Sequence, residues 1–108
     1  HVGVNLEQKD EAAVTARRFA ALFGLEPRET SSFFMLDGAV EVLKGRGRGQ
    51  NGHIGIGTRS LKRARSFFER QGFSFIESSI TNDASGQPLV IYFTEEIAGF
   101  ALHLTQVQ

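Results

Sequence analysis

Two short stretches of alternating polarity open the two halves of the chain. In His1-Val2-Gly3-Val4-Asn5-Leu6 the apolar Val2, Val4 and Leu6 share one side. In His53-Ile54-Gly55-Ile56-Gly57-Thr58 the same side carries Ile54 and Ile56. A period of two is the pattern of a half-buried strand. Each stretch is followed by helical spacing that ends at a glycine. Asp10–Phe23, before Gly24, sets Ala12, Ala16, Phe19 and Phe23 on one stripe, and Ser60–Gln71, before Gly72, does the same with Leu61, Ala64 and Phe68. Acidic residues or Ser at the start and Gly past the end are the expected caps. Strand-like runs follow in both halves: Arg28–Thr30, Ser32–Asp37 and Ala39–Lys44, then Phe73–Glu77, Leu89–Thr94 and Phe100–Gln106.

Each half therefore reads βαβββ, which predicts an α+β fold of two modules, 1–44 and 53–108, joined by a turn-rich linker at 45–52. The second half is longer, with a polar loop expected at Thr81–Gln87. Phe33, Phe34, Phe67, Phe68, Phe73, Phe75 and Phe93 are the expected large core residues.

At 108 residues the chain has material for one domain and one modest core. Its formal charge is zero, so no overall field draws it to nucleic acid or to a membrane surface. With no Cys, thiolate metal sites and cysteine nucleophiles are excluded. No apolar run approaches the roughly 20 residues of a membrane span and no secretory segment opens the chain, so a cytoplasmic location is expected. The start at His1 rather than Met suggests a piece cut from a longer polypeptide.

Strand register assigns the polar residues a side. His1, Gly3 and Asn5 oppose the apolar face of the first strand, and His53, Gly55 and Gly57 oppose that of the strand at 53. Glu41 lies between the core-facing Val40 and Val42, and His103 between Leu102 and Leu104, with Ala101 and Thr105 beside it. A lone strand histidine is most simply a solvent-facing residue, and Glu41 alone is the wet side of a strand. The joint pattern changes the reading: every His falls at the first residue of a half or in its last strand, and the fourth member is Glu41. Three imidazoles and a carboxylate, flanked by small residues, suit Zn²⁺, Ni²⁺, Co²⁺ or Fe²⁺ rather than Ca²⁺ or Mg²⁺. The expectation is that His1, Glu41, His53 and His103 converge on one divalent ion. Glu41, the only carboxylate among them, is the candidate catalytic base. Asn5, Tyr92 and Thr105, on the same faces, are candidate pocket residues.

Paired βαβββ modules with a ligand at the start of the first strand and in the last strand of each resemble the vicinal oxygen chelate superfamily of glyoxalases, bleomycin-resistance proteins and dioxygenases. The resemblance covers the whole chain. It implies a curved, cup-like mixed sheet with helices on its outer face, and a metal that chelates two neighbouring substrate oxygens. The chain departs from that pattern at Gly99-Phe100-Ala101-Leu102-His103-Leu104, where the family usually has Glu in place of His103. A divalent ion with one carboxylate is left formally positive and should favour an anionic oxygen ligand. A closer resemblance, carried by His1–Asn5, Val40–Lys44, Asn51–Thr58 and Glu95–Leu104, is to the extra C-terminal domain of bacterial aldolases acting on 2-keto-3-deoxy-6-phosphogluconate and 4-hydroxy-2-oxoglutarate. That likeness implies an accessory domain in the same full-length chain as an aldolase domain, itself lacking the Schiff-base lysine.

Seven basic residues and no acidic one lie between Lys44 and Arg65. They read as an anion site or as a solvated linker and helix face, and the second is preferred. Two functions follow: a metal-dependent lyase or isomerase acting on a small anionic 2-oxo or 2-hydroxy acid, or a non-catalytic binding, regulatory or dimerisation module. A homodimer is expected in either case, because 108 residues make a thin core with exposed strand edges.

Overall fold

The computed structural model describes all residues from His1 to Gln108. Eight strands and two helices follow in the order β1 (Val2–Asn5), α1 (Lys9–Phe23), β2 (Pro27–Glu29), β3 (Phe33–Leu36), β4 (Val40–Leu43), β5 (Gly52–Thr58), α2 (Leu61–Arg70), β6 (Phe75–Asn82), β7 (Pro88–Phe93) and β8 (Phe100–Gln106). The fold is α+β, and the βαβββ order occurs twice, as the periodicity predicts. No helix is long and apolar enough to cross a membrane. The chain divides into two compact units, His1–His53 and Ile54–Gln108. The division thus falls inside β5 and not in the linker.

In the first unit the strands lie in the order β2-β3-β4-β1. β1 runs parallel to β4, with Gly3 beside Glu41, and β3 is antiparallel to both β2 and β4. The small Ala12 and Ala16 of α1 pack against Phe34, Leu36, Val40 and Val42. Helix α1 ends at Gly24, whose φ of 68° is left-handed and whose N–H returns to the Ala20 carbonyl. Phe23 departs from expectation: it is half exposed and stacks on Phe19, ring centroids 6.1 Å apart. Its angular position is that of the buried stripe, but the packed set stops at Phe19, Ala20 and Leu25, so the last turn overhangs the core.

In the second unit the order is β5-β8-β7-β6, with β7 antiparallel to both β6 and β8. Helix α2 starts at Ser60, whose Oγ accepts the Arg63 N–H. Leu61, Ala64 and Phe68 cover Ile91, Phe93 and Leu104, and the Phe93 ring meets those of Phe68, Phe73 and Phe75. Phe67 is not a core residue. It is half exposed, because one step along a helix turns it about 100° away from Phe68. Phe33 is only half-buried, on the face opposite Phe34.

Strand β6 also runs on to Asn82, through Thr81 and Asn82, which the sequence assigned to a loop. Its pairing with β7 shifts register between Ile76 and Thr81. There the buried Ser79 hydroxyl donates to the Ile76 carbonyl (2.6 Å) and accepts the Tyr92 N–H (2.9 Å), doing for the bulge what a backbone group does elsewhere. The loop itself shrinks to the turn after Asp83, whose carboxylate accepts the N–H groups of Ser85 and Gln87.

Candidate metal centre

The first unit assembles three of the four expected ligands. Val40 and Val42 face α1, so alternation along β4 puts Glu41 on the open side. Parallel pairing then sets Gly3 directly beside it. A glycine is required there: a Cβ on Gly3 would lie 1.9 Å from His53 Cε1 and 2.2 Å from its Nδ1. The imidazole of His53 lies over that bare backbone. Gly52 brings the ring in, with φ of 128° and so close an approach that its own Cβ would stand 2.0 Å from the Gly3 carbonyl oxygen.

His1 Nε2 is 3.1 Å from His53 Nε2, with the rings nearly perpendicular at 88°. Glu41 Oε1 lies 3.5 Å from His53 Nε2, and Oε2 lies 3.9 Å from His1 Nε2. His53 is 4% exposed, and the Glu41 side chain is 15% exposed. Burial pushes the Glu41 carboxyl above its usual range and the His53 imidazole below its own. Both shifts favour the neutral form.

These donors fit one ion. Two ligands at about 2.0–2.1 Å from a tetrahedral ion stand roughly 3.3 Å apart, close to the separations found here. Nitrogen and carboxylate oxygen together match Zn²⁺ and its neighbours. Without an ion the two facing Nε2 atoms need one hydrogen between them, and an ion between them would take both lone pairs instead.

The second unit holds His103, buried at 4% exposure on the face of β8 opposite Leu104. Its Nδ1 lies 2.8 Å from Thr105 Oγ1. Tyr92 stands across from it in the β7–β8 register, ring centroids 4.9 Å apart. Tyr92 and Thr105 therefore both touch a candidate ligand. Asn5 is engaged elsewhere: its Nδ2 donates to the Gly49 carbonyl and its Oδ1 accepts the Gly47 N–H, which ties the linker down.

Three of the seven basic residues are taken up structurally. Lys44 pairs with Glu29 at 2.6 Å and donates to the Thr30 carbonyl. Arg46 meets Glu7 and the Gln50 carbonyl, and Arg65 meets Glu69 and Glu77.

Solved structures with the same architecture are known. A variant of Streptomyces coelicolor methylmalonyl-CoA epimerase in complex with 2-nitronate-propionyl-CoA aligns with a TM-score of 0.66 at 15% identity, over 98% of this chain and 94% of that one. The chain has the fold of methylmalonyl-CoA epimerase. A second epimerase structure, with methylmalonyl-CoA and NH₄⁺, aligns at 0.66 and 16% identity over 98% and 91%. A hypothetical protein from Bacillus halodurans C-125 aligns at 0.65 and 16% over 100% and 92%. No protein-family model matches the sequence, and neither does any curated protein. At these identities the epimerase likeness is one of fold.

Two contributions to the site escaped the sequence. Small neighbours beside the ligands were legible, but nothing marked Gly3 as the seat of the His53 ring. The Thr105 bond to His103 had a usable signal, since residues two apart on a strand share a face.

Proposed function

We propose that the chain is a divalent-metal-binding domain with His1, Glu41, His53 and His103 as ligands, acting on a small 2-oxo or 2-hydroxy acid in an isomerase- or lyase-type reaction. The observation that carries this reading is the approach of His1 Nε2, His53 Nε2 and the Glu41 carboxylate within 3.1–3.9 Å, largely out of solvent, beside Gly3. His103 joins the set on its place in the repeat, equivalent to that of Glu41. When bound, the ion supplies positive charge to paired substrate oxygens and to the oxyanion that follows proton loss. The chain's own residues do the rest. Burial keeps His53 neutral with its lone pair available. Glu41, the only carboxylate of the set, takes the proton from the carbon next to the substrate carbonyl. Thr105 engages His103 Nδ1, which assigns Nε2 as the donor, and Tyr92 lines the pocket beside it.

The acyl-CoA ligands of the epimerases that share this fold support an acidic, carbonyl-bearing substrate. The accessory place beside an aldolase domain, a homodimeric state and a cytoplasmic setting belong to the same reading, and the aldolase link rests on the sequence likeness alone. A second reading, a non-catalytic binding module, is favoured by His103 itself, because the family's second carboxylate is missing from that slot.

Elemental analysis of protein purified without added metal, followed by Zn²⁺ titration of wild type, His53→Ala and His103→Ala, tests the site. One equivalent per chain, lost in both variants, is the expected result, and unchanged binding in His53→Ala overturns it. Exchange of solvent deuterium into a 2-oxo acid at saturating metal separates the readings. Exchange abolished in Glu41→Gln marks catalysis, and no exchange by the wild type marks a binding module.

A further inference from the structure

The open side of the first unit's sheet carries three large apolar side chains that neither core takes up. Phe34 and Leu36 of β3 and Val40 and Val42 of β4 face α1, so alternation turns Phe33, Met35 and Leu43 to the side of Glu41. All three are half-buried, yet none belongs to either core cluster or packs against one. Apolar side chains grouped away from a core are a mark of ligand-binding surfaces.

Strand register arranges them as a block. Met35 lies directly across from Glu41, and Phe33 directly across from Leu43. Glu41 is thus one corner of a rectangle whose other three corners are apolar. Its edges are about 5 Å across the strands and about 7 Å along them, and its diagonal from Glu41 to Phe33 is about 7–8 Å.

The surroundings bound the block on two sides. At Leu43 the linker closes in, since a Cβ on Gly47 would stand 2.8 Å from Leu43 Cδ1. Beyond Met35 comes Arg28, its partner in the pairing of β2 with β3. Arg28 shares a hollow of about 620 Å³ with Glu26 and Asp37. Two acids against one base leave that hollow formally negative, so it draws no anionic group outward past the apolar residues.

We infer that the substrate of the metal centre is a 2-oxo or 2-hydroxy acid with an uncharged apolar side chain, which lies on Met35, Leu43 and Phe33 while the acid end meets the ion. This assignment rests on the metal-site reading above and deepens it by naming the substrate class. A small or doubly charged acid leaves the block in water, whereas a chain of about four carbons covers much of the diagonal.

The test is calorimetric titration of the Zn²⁺-loaded protein with pyruvate, 2-oxobutyrate, 2-oxopentanoate and 2-oxohexanoate. Affinity rises about threefold with each added methylene. 2-Oxohexanoate binds about tenfold tighter than 2-oxoadipate, which has the same length and a charged end. Phe33→Ser/Met35→Ser flattens the series, whereas Met35→Leu preserves its slope. One equivalent of Zn²⁺ in the double variant shows that it folds, and Met35→Ser alone, which lowers the slope by itself, stands in where it does not. A flat series in the wild type overturns the inference and leaves the metal reading in place. So does tighter binding of 2-oxoadipate, or a slope that survives the serine substitutions. If no acid of the series binds the Zn²⁺-loaded protein, the metal-centred reading falls and the inference with it.

Discussion

Glu41 and His103 occupy the same place in their respective halves, the open face of the last strand, yet they keep different company. Glu41 sits among ionisable groups, His1 and His53, in surroundings where burial disfavours charge. His103 sits against a hydroxyl and a phenol ring. The first half crowds its donors together by removing side chains, at Gly3 and Gly52. The second half fixes one donor by adding a hydrogen bond. Repetition of topology sets where a side chain points, and the neighbours decide what it can do once there.

The glycines give the sharpest way to break the comparison. Gly52→Ala meets both a left-handed φ and a backbone oxygen at 2.0 Å, neither of which can move cheaply. A loss of about 3–5 kcal/mol in urea unfolding is expected, from overpacking and backbone strain together. Gly57→Ala, on the same strand but in the second unit, meets only Val107 Cγ1 at 3.3 Å. It should cost less than about 1 kcal/mol. Equal losses would mean that the two halves are packed alike.

Next in size are the effects on metal. His53→Ala removes a ligand and should abolish stoichiometric Zn²⁺ binding, whereas Thr105→Val removes only the orienting hydroxyl and should weaken affinity about 10–100-fold. Competition with a chelating dye measures both. Chelating the metal from wild type should lower its melting temperature and leave that of His53→Ala in place.

A smaller effect has opposite signs with and without metal. The depressed His53 pKa stabilises the metal-free fold above its unfolded value of 6.5, and that contribution is lost as pH falls through the folded value. The raised Glu41 pKa stabilises below 4.5, and that contribution is lost as pH rises through its folded value. At neutral pH a buried Glu41 carboxylate is thus a liability in the metal-free protein. Glu41→Gln should stabilise that form by up to about 1 kcal/mol while weakening metal binding. Thermal melts with and without Zn²⁺ show both signs, and destabilisation of both forms would point to a purely structural Glu41.

The helix caps give the smallest difference. Ser60→Ala should cost about 1 kcal/mol, while Gln8, which makes no side-chain cap bond, should gain roughly 0.5–1 kcal/mol on becoming Asp. Denaturant midpoints distinguish the two.

The βαβββ order, both helices and the open-face placement of Glu41 and His103 were legible, because each depends on a short local period. Phe23 and Phe67 were misread because periodicity reports angle, and exposure also depends on where the sheet ends. The extension of β6 was hidden by its composition: Ser78, Ser79 and Thr81 look like loop until a buried hydroxyl is seen standing in for a ladder bond. Asn5 looked like a pocket residue for the same reason, since its register was clear and its bonds to Gly47 and Gly49 were not.

By sequence repetition His53 opens the second half, but by contact it belongs to the first unit, against His1, Gly3 and Glu41. The cluster is therefore indivisible at the linker, because a cut anywhere between 45 and 52 leaves His1 and Glu41 on one fragment and His53 on the other.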